Sequence, residues 1–421
     1  MRSKALRMYG KSDLRLEEFE LPRLRDDQIL AHIFSDSICM STYKAAIQGS
    51  DHKRVPKNIA GHPVIIGHEF CGELVEVGDK WRDQFQPGQK FTVQPALNQQ
   101  DDPYAAPGYS FEYIGGAATY VVIPNQVMEL GCLLRYDGDA YFYGSLAEPI
   151  SCIIGAFHAN FHTTPGSYIH QMEIAPGGNM AILAGVGPMG LGAIDYAIHG
   201  PLKPRLLVVT DLDQARLDRA GSIHTLQEAA KNGVTLKYIN TGTLANPAAD
   251  LLQITGNKGF DDVFVFAPVK TVVEMGDRIL GKDGCLNFFA GPTDPNFSAT
   301  INFYNTHYAS THVAGTSGGN TDDMVESLHM MEKNLINPAG MITHIGGLNC
   351  AARTTLNLPK IPGGKKLIYT NIKLELTAID DFQTAGETQP LFAELAGIVA
   401  KSNGLWSTEA EKYLLGHAET I

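Results

Sequence analysis

The 421-residue chain carries 33 Lys and Arg against 45 Asp and Glu, a net charge of −12, which excludes a nucleic-acid binder because phosphate contacts need clustered positive charge. A chain that is 44% hydrophobic and 19% charged, with 43 glycines in no fixed period, is neither collagen nor a disordered polymer. Its length predicts two domains, no stretch is apolar enough for a membrane span or a secretory leader, and six cysteines without a C-x-x-C pair predict a reduced, cytoplasmic protein.

Along the first 155 or so residues, short strands are predicted at Ile29 to Phe34, Glu73 to Val77, Lys90 to Val93 and Thr119 to Ile123, with turns at Gly78-Asp79 and Pro87-Gly88. Strands spaced this way predict a mainly β, barrel-like unit. Segments 97–115 and 159–178 read as loops, rich in turn-forming residues and without periodicity. From Asn179 the pattern changes. Apolar runs at 180–184, 206–210, 236–240, 263–267, 286–290 and 311–315 alternate with helical patterns at Pro188 to His199, Gln214 to Asn232 and Val269 to Leu280. Short buried strands separated by crossover helices predict a doubly wound α/β unit with six parallel strands. A helix at Asp322 to Asn334, strand-like Leu367 to Thr377 and a final helix at Pro390 to Ser402 complete the chain, and this tail is expected to return to the first unit.

Gly185-Val-Gly187-Pro-Met-Gly190 lies between a predicted strand and a predicted helix, where glycines allow a tight turn, close approach to a pyrophosphate, and tight helix–strand packing. The helix start offers free N–H groups to phosphates. Asp211 ends the second strand, 21 residues past Gly190, where a carboxylate bonds a ribose 2′-hydroxyl and repels a 2′-phosphate. NAD is therefore preferred, while the nearby Arg216 keeps NADP open. A ligand-free packing turn, or a methyltransferase-type nucleotide turn, are the alternatives.

Cys39, His68 and Glu69 offer thiolate, imidazole and carboxylate, the ligand types of catalytic zinc sites, and Glu148 in Leu146-Ala-Glu148-Pro149 is a fourth candidate. Singly, each also has a structural explanation: a small buried hydrophobe, a hydrogen-bonded core histidine, a solvated charge, and a helix N-terminal carboxylate.

Gly67-His-Glu-Phe-Cys-Gly72, Val75-Glu-Val-Gly78, Pro87-Gly-Gln-Lys90, Gly115-Gly-Ala-Ala-Thr-Tyr120 and Ala147-Glu-Pro149, in this order and followed by the glycine turn, resemble the medium-chain zinc-dependent alcohol and polyol dehydrogenases. The resemblance implies a GroES-like catalytic domain over 1–157 and 319–421 and a Rossmann domain over 158–318. It implies catalytic zinc on Cys39, His68 and Glu69, with Glu148 approaching the metal directly or through water, and Ser41 taking the substrate proton. Gly185, Gly187, Met189, Gly190, Asp211 and Arg216 match the NAD contacts, and Phe289-Ala-Gly291 and Gly315-Thr-Ser317 would lie beside the nicotinamide. A homodimer or homotetramer is the assembly the family implies.

Three departures stand out. Residues 94–116 lack the four cysteines that hold a structural zinc in many members, so one zinc per chain is expected. Lys44 stands where relatives relay the proton through histidine, and Trp81 fills a usually small position. Gly318 to Asp323, Ile336 to Gly347 and Pro362 to Thr370 resemble the L-sorbose-1-phosphate reductase subgroup, which implies a ketose phosphate or hexitol phosphate substrate. His52, Lys53, Arg54, Lys57, Arg353, Lys365 and Lys366 are the candidate phosphate contacts. An unphosphorylated polyol, threonine, or a non-catalytic NAD sensor are the competing expectations.

Overall fold

In the computed structural model, which describes all 421 residues, the chain forms two compact units. One comprises Met1–Glu148, Asn320–Glu332 and Pro338–Ile421; the other comprises Pro149–Gly319 and Lys333–Asn337. No helix is long and apolar enough to cross a membrane.

The second unit holds a six-stranded, all-parallel sheet in the order Thr235–Asn240, Leu206–Asp211, Asn179–Leu183, Phe260–Val265, Leu280–Phe288, His312–Ala314. This order is that of a Rossmann fold, with the strand carrying the glycine turn at the centre. The central strands are apolar because helices cover both faces of a parallel sheet: Ala181, Leu183, Val208, Val263, Val265 and Leu286 pack in one core. The predicted helix over 214–232 is two helices, Gln214–Ile223 and Leu226–Lys231, because Thr225 turns out of the first and caps the second by accepting from Glu228 N. Within 159–178 the chain makes a small hairpin, Phe161–His162 against Gln171–Met172.

In the first unit the strand Ile29–Ile38 is the spine of an eight-stranded sheet. Strands Phe70–Val77 and Tyr120–Ile123 pair with it, and so does Lys365–Tyr369 from the tail. A GroES-like domain is thus completed by residues more than 300 positions downstream. The predicted strand over 367–377 divides into Lys365–Tyr369 and Thr377–Ala378, and the helix Pro390–Lys401 is followed by another, Thr408–His417. Two N-terminal strands, Arg2–Gly10 and Asp13–Glu20, also escaped the sequence reading. Trp81 is buried, and its Nε1 donates to Asp27 O and Asn125 Oδ1, both at 3.2 Å. Its size fills the core beside Phe85 and its polar edge is satisfied.

Glu148 lies inside the 19-residue helix Tyr141–Ala159, so it is not the helix N-terminal carboxylate that was its structural alternative. The start of that helix is held by Glu411 from the last helix. Its buried carboxylate accepts from Tyr141 N (2.6 Å), Phe142 N (2.9 Å) and the Tyr369 hydroxyl (2.7 Å), so N–H groups that have no helical partner are satisfied. Burial lifts the Glu411 carboxyl from 4.5 to about 7, against the pull of those three donors. An acid with a raised folded-state pKa binds its proton more tightly in the native protein, so its contribution is fully present below 4.5 and is lost as the pH rises to 7. The expected result is a fall in unfolding free energy of about 3 kcal/mol across that window, absent from Glu411→Gln; parallel urea titrations of both proteins from pH 4.5 to 7 measure it.

Candidate active site

The strand Ile29–Ile38 delivers Cys39 at its end, and the helix Met40–Gln48 begins directly after it. Ser41 and Thr42 therefore sit one turn from the sulfur. Gly67, at φ +93, turns the chain into His68 and Glu69, and a side chain there would run into the Asp36 carboxylate at 2.4 Å. Glycine is required on both counts.

Cys39 Sγ, a ring nitrogen of His68 and a carboxylate oxygen of Glu69 lie within 4.8 Å of one another. Thr42 Oγ1 sits 3.1 Å from His68 Nδ1, which fixes the ring. Its other nitrogen, Nε2, is 3.3 Å from Ser41 Oγ, and that hydroxyl donates to Cys39 Sγ at 3.1 Å. One sulfur, one nitrogen and one oxygen converging at this range form a three-ligand set of the catalytic zinc type, with the Thr42 hydroxyl placed to orient a metal-bound histidine. The residues fit the ion.

Glu148 is not within that group of three, but its charge acts on Cys39, Tyr109 and Lys365. The electrostatics of the centre are those of a dry pocket. Desolvation, reinforced by Glu69, pushes the Cys39 thiol up to about 12, and burial pushes the His68 imidazole down to about 4. Both neutral forms are favoured until a cation arrives, and metal binding then selects the thiolate.

Two participants escaped the sequence reading, and a third has a different role from the one expected. Thr42 is one. Tyr109 is another: buried in the segment predicted as loop, it donates to Ser41 Oγ at 2.9 Å and lies 3.3 Å from His68 Nε2. The third is Lys365, expected to meet a phosphate. It is instead buried against Glu69, donating to both carboxylate oxygens at 2.5 and 2.7 Å, because antiparallel pairing of Lys366 with Ile38 sets it beside Cys39. Glu69 keeps lone pairs for a metal, since a carboxylate offers about four acceptor positions. Lys366 is likewise buried, on the carbonyls of Pro362 and Gly364, and Arg353 pairs with Glu375 at the surface. Neither buried lysine is available to a phosphate.

In the second unit the glycine turn joins the central strand to the helix Pro188–His199, whose N-cap Gly187 makes no side-chain capping bond. A side chain at Gly190 would strike Gly185 O at 2.1 Å, so helix and strand touch there. At Gly187 a Cβ would meet only Arg216 Nη2, at 3.5 Å, so bare backbone at the helix start lies beside a guanidinium, a donor set suited to phosphate. Asp211 Oδ1 accepts from Leu212 N and Asp213 N, which fixes its carboxylate at the strand end. Met189 begins the helix behind Pro188. These residues fit a dinucleotide.

The model of the alcohol dehydrogenase GroES-like domain matches residues 26–131. Across nearly its full length the chain is 52% identical to L-sorbose 1-phosphate reductase of Klebsiella pneumoniae, covering 99% of this chain and 98% of that protein. The chain belongs to the zinc-dependent medium-chain alcohol and polyol dehydrogenases. It is also 54% identical to mannitol-1-phosphate 5-dehydrogenase of Aliivibrio fischeri, over 96% of each chain. The fold resembles the crystal structure of 2R,3R-butanediol dehydrogenase from Bacillus subtilis, with TM-score 0.69 and 20% identity, covering 88% of this chain and 100% of that one. As a member of the family it is an NAD(P)-dependent alcohol or polyol oxidoreductase.

Proposed function

We propose that the protein interconverts a ketose phosphate and a hexitol phosphate, L-sorbose 1-phosphate and D-glucitol 6-phosphate, using NAD(H) and one zinc ion per chain held by Cys39, His68 and Glu69, with Glu148 near the metal. Ketone, NADH and a proton give alcohol and NAD⁺. The observation that carries the reaction type is the three donors within 4.8 Å with the Ser41 hydroxyl upon them; the phosphorylated substrate is supported by the names of the full-length relatives.

Zinc and nicotinamide, when bound, supply a Lewis acid for the substrate oxygen and a two-electron hydride carrier. The chain's own part is proton handling and exclusion of water. Ser41 Oγ holds the proton that the reacting oxygen gains or loses, and Tyr109, donating to that oxygen atom at 2.9 Å, keeps it in place. Burial of Glu69, His68 and Tyr109 keeps the pocket dry, which strengthens every charge interaction within it. Asp211 is the residue that favours NADH over NADPH.

Following NADH absorbance with sorbitol, sorbitol 6-phosphate and mannitol 1-phosphate tests the assignment. Turnover of sorbitol 6-phosphate at a kcat/KM at least about 10²-fold above sorbitol is expected, as charge-assisted bonds to one phosphate supply roughly that much. A preference for the free polyol refutes it.

A further inference from the structure

The chain is strongly acidic, yet one turn beside the metal ligands is basic. His52, Lys53 and Arg54 follow one another, and Lys44 projects from the helix Met40–Gln48 nearby. Burial, and after it the charges of Arg54, Lys53 and Lys44, lower the His52 pKa, so the three cations lie near that ring. The turn is pinned: Val55 N donates to His52 O at 3.0 Å, Arg54 N to His52 Nδ1 at 3.3 Å, and Ser110 Oγ to Arg54 O at 2.7 Å.

Neither Lys53 nor Arg54 spends its charge on a carboxylate. Lys53 Nζ lies 5.1 Å from the Tyr104 ring centre and the Arg54 guanidinium 5.6 Å from that of Tyr109, while His52 stacks on the same Tyr109 ring with centroids 5.8 Å apart. Cations over aromatic faces keep their N–H donors for another acceptor. Arg54 is half-buried, and an arginine fork matches phosphate oxygens bidentately. The ring of Tyr109 separates this guanidinium from the metal donors, for its hydroxyl touches Ser41 and stands 3.3 Å from His68 Nε2.

We propose that Arg54, supported by Lys53 and Lys44, is the phosphate anchor of the substrate site. The inference rests on the sugar-phosphate reading above, and it adds the residue that recognises the phosphate.

The test uses zinc-loaded wild-type protein and Arg54→Gln, with NADH and three substrates: a 2-ketohexose, its 1-phosphate and its 6-phosphate. Wild type is expected to favour the 1-phosphate over both others. Arg54→Gln is expected to lower the ratio of kcat/KM for the 1-phosphate to that for the free ketose by about 10- to 100-fold, chiefly through KM. Inorganic phosphate, competing with the 1-phosphate, should lose inhibitory strength in the variant by a similar factor. Arg54→Lys is expected to recover part of the ratio, and Lys53→Gln, at an exposed position, to lower it less; these two read the anchor if Arg54→Gln does not fold. Lys401→Gln, far from the turn in sequence and at the surface, should leave it unchanged. A wild type that favours the 1-phosphate while Arg54→Gln and Lys53→Gln keep its ratio overturns the anchor and spares the sugar-phosphate reading. A wild type that favours the 6-phosphate overturns the 1-phosphate substrate proposed above, and the anchor with it if Arg54→Gln keeps the 6-phosphate ratio. A wild type that favours the free ketose overturns both.

Discussion

Replacing Cys39 with serine is expected to abolish stoichiometric zinc and to cut turnover by about 10³-fold, while leaving NADH affinity unchanged. The reasoning separates the two units. Zinc in this family stabilises the charge that develops on the substrate oxygen by several kcal/mol, and about 4 kcal/mol corresponds to 10³ in rate. A hydroxyl in place of the thiol keeps the shape of the site but is a far poorer ligand for zinc. The dinucleotide turn lies in the other unit, at Gly185 to Gly190, and shares no residue with Cys39. Metal content by emission spectroscopy, NADH titration by fluorescence and steady-state rates together check the result. Full turnover after complete removal of metal would contradict the assignment of Cys39, His68 and Glu69.

Lys365→Met is expected to produce the largest loss of stability of any single change in the site. Lys365 and Glu69 are both almost wholly enclosed, at 6% and 1% side-chain exposure, and hold one another at 2.5 Å. Desolvation is the largest single influence and alone would push the ammonium towards neutrality, but Glu69, Cys39 and Glu148 together outweigh it, and the Lys365 pKa is raised. Removing one partner leaves an uncompensated buried carboxylate, which costs about 3–5 kcal/mol. Two further results follow from the same account. Lys365→Met with Glu69→Gln should recover much of the loss, since neither charge is then stranded. Added zinc should raise the unfolding midpoint of Lys365→Met by more than that of wild type, because the cation replaces the missing ammonium. Chemical unfolding of metal-free and zinc-loaded proteins reads all three, and unchanged stability of metal-free Lys365→Met would defeat the argument.

What could be read from residues alone is what local chemistry specifies. The Rossmann sheet was legible because its buried parallel strands are short apolar runs between amphipathic helices; helix Pro188–His199 was predicted with its observed bounds. Gly190 was legible since close helix–strand packing tolerates no side chain, and His68 and Glu69 because a compact motif carries them. Errors came where a distant partner decides the local outcome. One alternative placed Glu148 at a helix start, yet Glu411, 263 positions after it, caps the helix earlier, and Glu148 and Pro149 lie in its interior. The split of 214–232 turned on one threonine that serves as a cap, not as an interior residue.

The candidate site divides in the same way. By itself the sequence determined which atoms could bind a metal and which turn could hold a dinucleotide, because those depend on side-chain type and short spacing. It could not determine the state of Lys365 or of Tyr109. Lys365 read as a candidate phosphate contact in the tail, and Tyr109 stood unremarked in a segment read as loop. Only tertiary structure decided that antiparallel pairing of Lys365–Tyr369 with Ile29–Ile38 drives an ammonium into a dry pocket beside Glu69. Charge takes its role from surroundings: the same amine that would greet a phosphate in water becomes, once desolvated next to a carboxylate, a fixed counter-ion.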